Sequence, residues 1–445
     1  MRAVIDGPGW AVRGPGRTAA DRPPDVGRAL AGEAGRLAPG VTAATPLLRP
    51  YALYAALAAH AGRAGLDAAA SRRLARRAEA IMLAVSLLHD DGAAPGAALV
   101  EPWLGDDLDV AGAAGAALPG WDAYAWPSAV LGTIAFRDGA LRPGRHTCPP
   151  SVRALFAPLI EAAAEDRLGW ERLDALRAVA PGSAEAPEAS WLSGVFTAVR
   201  AGRHDPAEWT PEDLRRRGTL RVLARAAALH GDPSASWDDV TASAVAFGGQ
   251  AATDPVLAAL PETLGWRGVL LRAHSVRAWQ RIWAESREAP DALPDALPAV
   301  GTRAFLNDLP PTTRGGHPSP IERIVLAGGD DALTHFGLLL IGGRRAGELD
   351  GAARAAFVGP PTEILNPVWV ALRTEEHLDR PVRDLAVRLQ ADLAGQARRE
   401  RLDARPPAAG GTGLAALASL GARLGLLTPG ASVTPLGSTL LGVDA

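Results

Sequence analysis

Between Leu74 and Leu88 the apolar residues Leu74, Ala78, Ile81, Met82, Val85 and Leu88 recur every three or four positions. That spacing follows the helical turn of about 3.6 residues, so it places one apolar stripe on one face and requires a helix that buries it. The firmly helical pattern runs from Pro46 to Leu88, and Val382, Leu385, Ala386, Leu389 and Leu393 repeat it later. Further helices are expected over Ser151–Val179 and about 266–288. Another opens at Thr210-Pro211-Glu212-Asp213, where Thr caps, Pro takes the first helical position and acids fill the first turn. The apolar run Phe336–Ile341 fits buried helix or strand equally well. No unit of roughly 20–50 residues repeats, so a solenoid is not expected. The expected fold class is mainly α, divided into several subdomains.

Turn residues suggest the divisions. Residues 1–45 alternate Gly, Pro and Arg and read as an arm with one short helix near Val26–Leu37. An N-terminal helical domain covers 46–180, with a Gly/Ala-rich loop and short helical pieces over 92–120. After the boundary Pro181–Ser190, a middle helical domain covers 191–290. The proline-spaced tandem Asp291-Ala-Leu-Pro, Asp295-Ala-Leu-Pro links it to a third helical region, 300–405. Arg405–Gly413 is a second linker, before a small unit at 413–445.

Composition then narrows the chemistry. All 46 basic residues are arginines, so reactions needing an ε-amine are excluded, Schiff-base catalysis and the phosphate-loop lysine among them. The single cysteine, Cys148, excludes an internal disulfide and any multi-cysteine metal cluster. A net charge of −3 argues against non-specific coating of nucleic acid. The 49 glycines and 37 prolines, with abundant Ala and Arg, read as a bias toward GC-rich codons rather than as function. Met1–Gly40 holds no signal-like apolar run, and no stretch approaches the ~18 apolar residues of a membrane span, so a cytoplasmic protein without a membrane partner is expected. No cofactor is implied.

Four arginine clusters stand out: Arg72/Arg73/Arg76/Arg77, Arg215/Arg216/Arg217 with Arg221 and Arg225, Arg344/Arg345, and Arg398/Arg399/Arg401/Arg405. Guanidinium forks grip phosphate and carboxylate, making these candidate nucleic-acid or partner contacts; the plainer reading is a solvated helix face paired with Glu79, Asp213 or Glu400. Convergence of clusters in space would favour the functional reading. The densest aromatic group, Trp121, Tyr124, Trp126 and Phe136, precedes Arg137 and could stack bases, although Val130, Leu131 and Ile134 beside it favour core. Trp279 and Trp283, between Arg277 and Arg281, read as a packing face. His146 and Cys148 stand two apart and form a candidate nucleophilic pair only if they converge.

Four local patterns carry resemblances. The segment Leu414–Leu427, then Thr-Pro-Gly, then Ser432–Leu441, resembles the last third of a winged-helix domain, with Arg423 its one base-reading candidate. Leu48-Arg49-Pro50 followed by Ser86-Leu-Leu-His89-Asp90-Asp91 resembles isoprenyl diphosphate synthases, whose aspartates hold magnesium; position 94 is Ala, so the third carboxylate of that pattern is missing. His60 with His89-Asp90 is similar to metal-dependent phosphohydrolases, the plainer reading being a helix stop at Asp90-Asp91-Gly92. Most broadly, "TPLLRPYALYAALA", "RRAEAIMLAVSLLHD", "RAWQRIWAE" and the closing unit resemble an uncharacterised family of bacterial helical proteins from restriction-like and phage-defence gene clusters. That resemblance implies a component acting with protein partners. The expected role is a non-catalytic adaptor or nucleic-acid-associated subunit touching DNA or RNA through arginines. The alternative is a metal-dependent helical enzyme acting on a phosphate ester or diphosphate through His89, Asp90 and Asp91.

Overall fold

The computed structural model describes residues 27–89, 94–182, 187–247, 250–270, 273, 297–308, 336–337, 339–340, 351, 354–355, 367–399 and 414–443. These residues are mainly α-helical, with two short two-stranded ribbons among them. The chain divides into two compact units, Ala34–Thr241 with Gly411–Ala445, and Met1–Glu33 with Ala242–Gly410. No helix among the described residues is long and apolar enough to cross a membrane.

The first unit is built around α1, Arg49–Arg63. Proline in its first turn suits the fixed φ of a helix start, and the alanines that follow let neighbours approach closely. Tyr51, Leu53, Tyr54 and Leu57 are all buried, so this helix is wrapped on every side. Gly65, at φ +63°, turns the chain into α2, Ala68–His89. The apolar stripe of α2 faces inward as its period requires: Ala78, Ile81, Met82 and Val85 are buried, while Leu88 in the last turn is 38% exposed.

Strand β1, Asp107–Asp109, pairs antiparallel with β4, Arg167–Gly169, and Leu108 opposes Leu168. Strands β2, Ile134–Arg137, and β3, Ala140–Pro143, form a hairpin against α1. Its two turn residues, Asp138 (φ +51°) and Gly139 (φ +74°), both occupy the left-handed region that a two-residue hairpin of matching twist demands. Three longer helices also belong to this part: α3, Pro150–Ala162, α4, Pro187–Thr197, and α5, Pro211–His230. Helix α5 opens with a capping box in which the Thr210 hydroxyl accepts from Asp213 N and the Asp213 carboxylate accepts from Thr210 N. Gly231, at φ +71°, closes it.

Residues 414–443 belong to the same unit. Helix α6, Leu414–Arg423, and helix α7, Pro435–Leu441, flank one antiparallel bridge, Leu427 to Val433. They pack on α5, and Arg217 donates to the Leu440 carbonyl at 2.7 Å.

In the second unit, helices Thr302–Asp308 and Pro367–Glu376 pack on Val382–Arg399. Val382, Leu385, Ala386 and Leu389 are its buried stripe. Residues 261–270 are helical, with Trp266 fully buried. The described part of the apolar run, 336–337 and 339–340, is helical, and Phe336 lies 6.4 Å from Phe305. Trp279, Trp283 and the 291–296 part of the linker fall outside the described residues.

Candidate functional site

The arginines divide by what they touch. Arg216 has no exposed side-chain surface; Nη1 donates to the Pro39 carbonyl (3.1 Å) and Nη2 to the Val195 carbonyl (3.0 Å) and Asp213 Oδ1 (2.6 Å). Arg217 Nη1 donates to the carbonyls of Thr197 (2.6 Å) and Leu440 (2.7 Å), and burial pushes its guanidinium down to about 10. Arg77 reaches the carbonyls of Ala163 (2.5 Å) and Glu165 (2.6 Å) and the Asp166 carboxylate (2.9 Å). Arg49 is buried against Glu188 (2.7 Å) and the carbonyls of Ala178 and Ala180. Val195 and Thr197 lie in the last turn of α4, Ala163 caps α3, and Leu440 lies in the last turn of α7. Helix C-termini leave carbonyls unpaired and carry partial negative charge, which a cation satisfies. These arginines are therefore internal caps. As surface contacts, Arg216 and Arg217 are corrected by their burial, Arg77 is largely committed inward, and Arg49 is not free to grip a diphosphate.

The opposite end of the α2 cluster does converge with the aromatic group. Arg72 lies over the Trp121 ring at 5.6 Å, Trp121 meets Phe136 at 6.1 Å and Tyr54 at 6.1 Å. Arg72, Arg73 and Phe136 are exposed, Trp121 and Arg76 are half-buried, and Trp126 is 69% exposed. Tyr124 instead joins the core, edge-on to Tyr51 at 5.1 Å. Glu79 holds the base of this surface, accepting from Gly120 N and from Trp121 N (3.2 Å). Burial pushes its carboxyl up to about 7, against the lowering effect of these two amides and of Arg76.

Arg215 and Arg423 are exposed. The side chains of Arg398 and Arg399 are not among those described, and Arg344, Arg345, Arg401, Arg405, Asp90 and Asp91 lie outside the described residues. His89 Nε2 sits 3.5 Å from Asp174 Oδ1. Among the described residues no group of three or more His, Cys, Asp or Glu is placed to hold a metal ion.

His146 and Cys148 do not form a nucleophilic pair. Burial pushes the Cys148 thiol up to about 11, and its Sγ faces the Pro149 carbonyl at 3.9 Å. His146 stacks at 5.2 Å on Trp209, and burial followed by Arg145 pushes it down to about 4, so both groups are neutral at pH 7.

His146 instead lines a cleft of about 530 Å³ with Arg145, Ser190, Trp191, Gly194, Arg200 and Trp209. Arg145 Nη2 donates to both oxygens of Asp213 (2.9 and 2.8 Å), yet its side chain is 38% exposed. Asp213 thus stands between Arg145 and Arg216. Burial opposes its ionisation, but Arg216, Thr210 and Arg145 together hold its carboxyl below the ordinary range. Arg200 lies over Trp209 at 5.5 Å. Nothing in the sequence spacing joins residues 145, 190, 200 and 209, so this site was legible only in three dimensions. No protein-family model matches the chain, and neither does any curated protein or solved structure.

Proposed function

We propose that this protein is a non-catalytic, nucleic-acid-associated subunit that holds a single strand on the surface formed by Arg72, Arg73, Arg76, Trp121 and Phe136. The observation that carries the reading is the guanidinium of Arg72 laid over Trp121 beside Phe136. Single strands are held where cations follow the backbone and flat groups stack the bases, and both elements meet here. An exposed guanidinium plane also accepts a base on its outer face. The adaptor half of the reading rests on Leu99, Trp103 and Trp126, large apolar groups left at the surface and suited to a protein partner. A place in a bacterial defence assembly follows from the sequence resemblance. The helix–bridge–helix of residues 414–443 is read as a winged-helix-like unit used for packing, because it leans on α5 and offers Arg423 alone to a duplex.

Binding of a fluorescent single strand of roughly 20 nucleotides tests this. The wild-type chain is expected to bind, and R72Q/R73Q/R76Q to lose on the order of tenfold or more in affinity with unchanged circular dichroism. Duplex binding unchanged in R423E is the expected companion result. Equal strand binding by the triple variant, or magnesium-dependent phosphate-ester hydrolysis lost in Asp90→Ala, overturns the reading.

A further inference from the structure

We infer that the cleft between His146 and Trp209 is a binding site for a small flat organic carboxylate, independent of the strand surface. Its volume of about 530 Å³ falls in the range that encloses a drug-sized molecule. Two of its lining residues, His146 and Trp209, carry ring nitrogens that are buried without a hydrogen-bond partner, Nε2 and Nε1. Buried polar groups without partners are costly, so these two side chains are held in place by the packing around them. His146 is only 7% exposed and Trp209 only 9%, so both groups are fixed rather than mobile on the surface.

The charge around the cleft selects the sign of the ligand. Arg145, Arg200 and Arg216 face Asp213 and Glu208, leaving one positive charge uncompensated. Arg145 and Arg200 are the partly exposed pair, each able to turn a donor edge to a carboxylate. Trp191 and Trp209 supply the apolar, flat walls that a ring would occupy. The rim itself is held in a costly backbone conformation. Ala201 (φ +50°), on the lining, and Ala198 (φ +52°), buried just before it, both sit in the left-handed region. His204 Nδ1 pins the Ala198 carbonyl at 2.7 Å, and Gly194 O accepts from Val199 N at 2.9 Å, so the rim is fixed where it meets the cleft. Strain of this kind collects where a binding site must be held in shape.

Indole-3-acetate, indole and tryptamine share one ring and differ in charge, and saturation-transfer NMR on the full chain measures all three. Indole-3-acetate is expected to bind saturably, indole about tenfold more weakly, and tryptamine not at all. R200Q, at an exposed position outside the strand surface, is expected to weaken indole-3-acetate about tenfold. Trp209→Phe, which keeps a ring but narrows the apolar wall, is expected to weaken it severalfold. Absence of saturable indole-3-acetate binding up to roughly 10 mM, equal binding of tryptamine, or unchanged affinity in R200Q overturns the assignment. Strand binding by R200Q stays at the wild-type level if both proposals hold, so the two fail separately.

Discussion

Two arginine-rich helices with nearly the same local signature use their charge in opposite ways. On α5, Arg216 and Arg217 turn inward to the last-turn carbonyls of α4 and α7, and only Arg215 of the triplet is exposed. On α2, Arg77 turns inward in the same manner, while Arg72 lies over Trp121 and Arg73 is exposed. What separates them is the neighbourhood. Helix α5 is flanked by two helix ends whose carbonyls accept from its arginines, whereas Arg72 on the first half of α2 lies over the Trp121 ring beside Phe136 of the hairpin. An arginine cluster in a lysine-free chain is thus no sign of a nucleic-acid face until its helix-end neighbours are known.

The largest expected effect breaks the inward side. Asp213→Ala leaves Arg216 buried without its carboxylate and should cost roughly 3–5 kcal/mol in chemical denaturation, with Arg145 released as well. A loss under about 1 kcal/mol would mean that the pair is not what holds α5 to its neighbours.

The next effect concerns Glu79, under the α2 surface. Its folded carboxyl titrates near 7 against an ordinary 4.5. Between those two values the unfolded chain has released its proton while the folded chain retains it, so stability falls as pH rises through that window and is flat beyond it. The fall is on the order of 3 kcal/mol. Glu79→Gln should remove most of that slope in denaturation curves run from pH 4 to 8. An unchanged slope would place the titrating group elsewhere.

Smaller still, Thr210→Ala removes the cap of α5 and should cost about 1–2 kcal/mol, read as a lower denaturation midpoint. Smallest is R72Q/R73Q, at exposed positions with one cation–π contact, which should change stability by less than about 1 kcal/mol. A larger loss would make these arginines structural and erase the contrast with Arg216.

Much of the fold was legible in the sequence because it is written in local rules. The inward stripe Ala78, Ile81, Met82, Val85, the stripe of Val382–Leu389, and the Thr210–Asp213 cap each depend on residues within one or two turns. The β2–β3 hairpin was also written there, in Asp138-Gly139 between Phe136 and Leu141, but short strands inside an otherwise helical pattern leave a weak signal. The fate of the arginines was not legible, since it depends on contacts such as Arg216 to Pro39, 177 residues apart. The cleft is the extreme case: Arg145 and His146 meet Arg200 and Trp209 only because α4 and α5 fold back on the β3–α3 connection.

The most direct measurement of the central contrast is the salt dependence of single-strand binding in R72Q/R73Q set against R215Q. Each phosphate contact removed lowers the slope of log affinity against log salt by about 0.7. R72Q/R73Q is expected to reduce that slope by more than one and R215Q to leave it unchanged. Equal reductions in the two variants, or none in R72Q/R73Q, would contradict the assignment of the strand to the α2 surface.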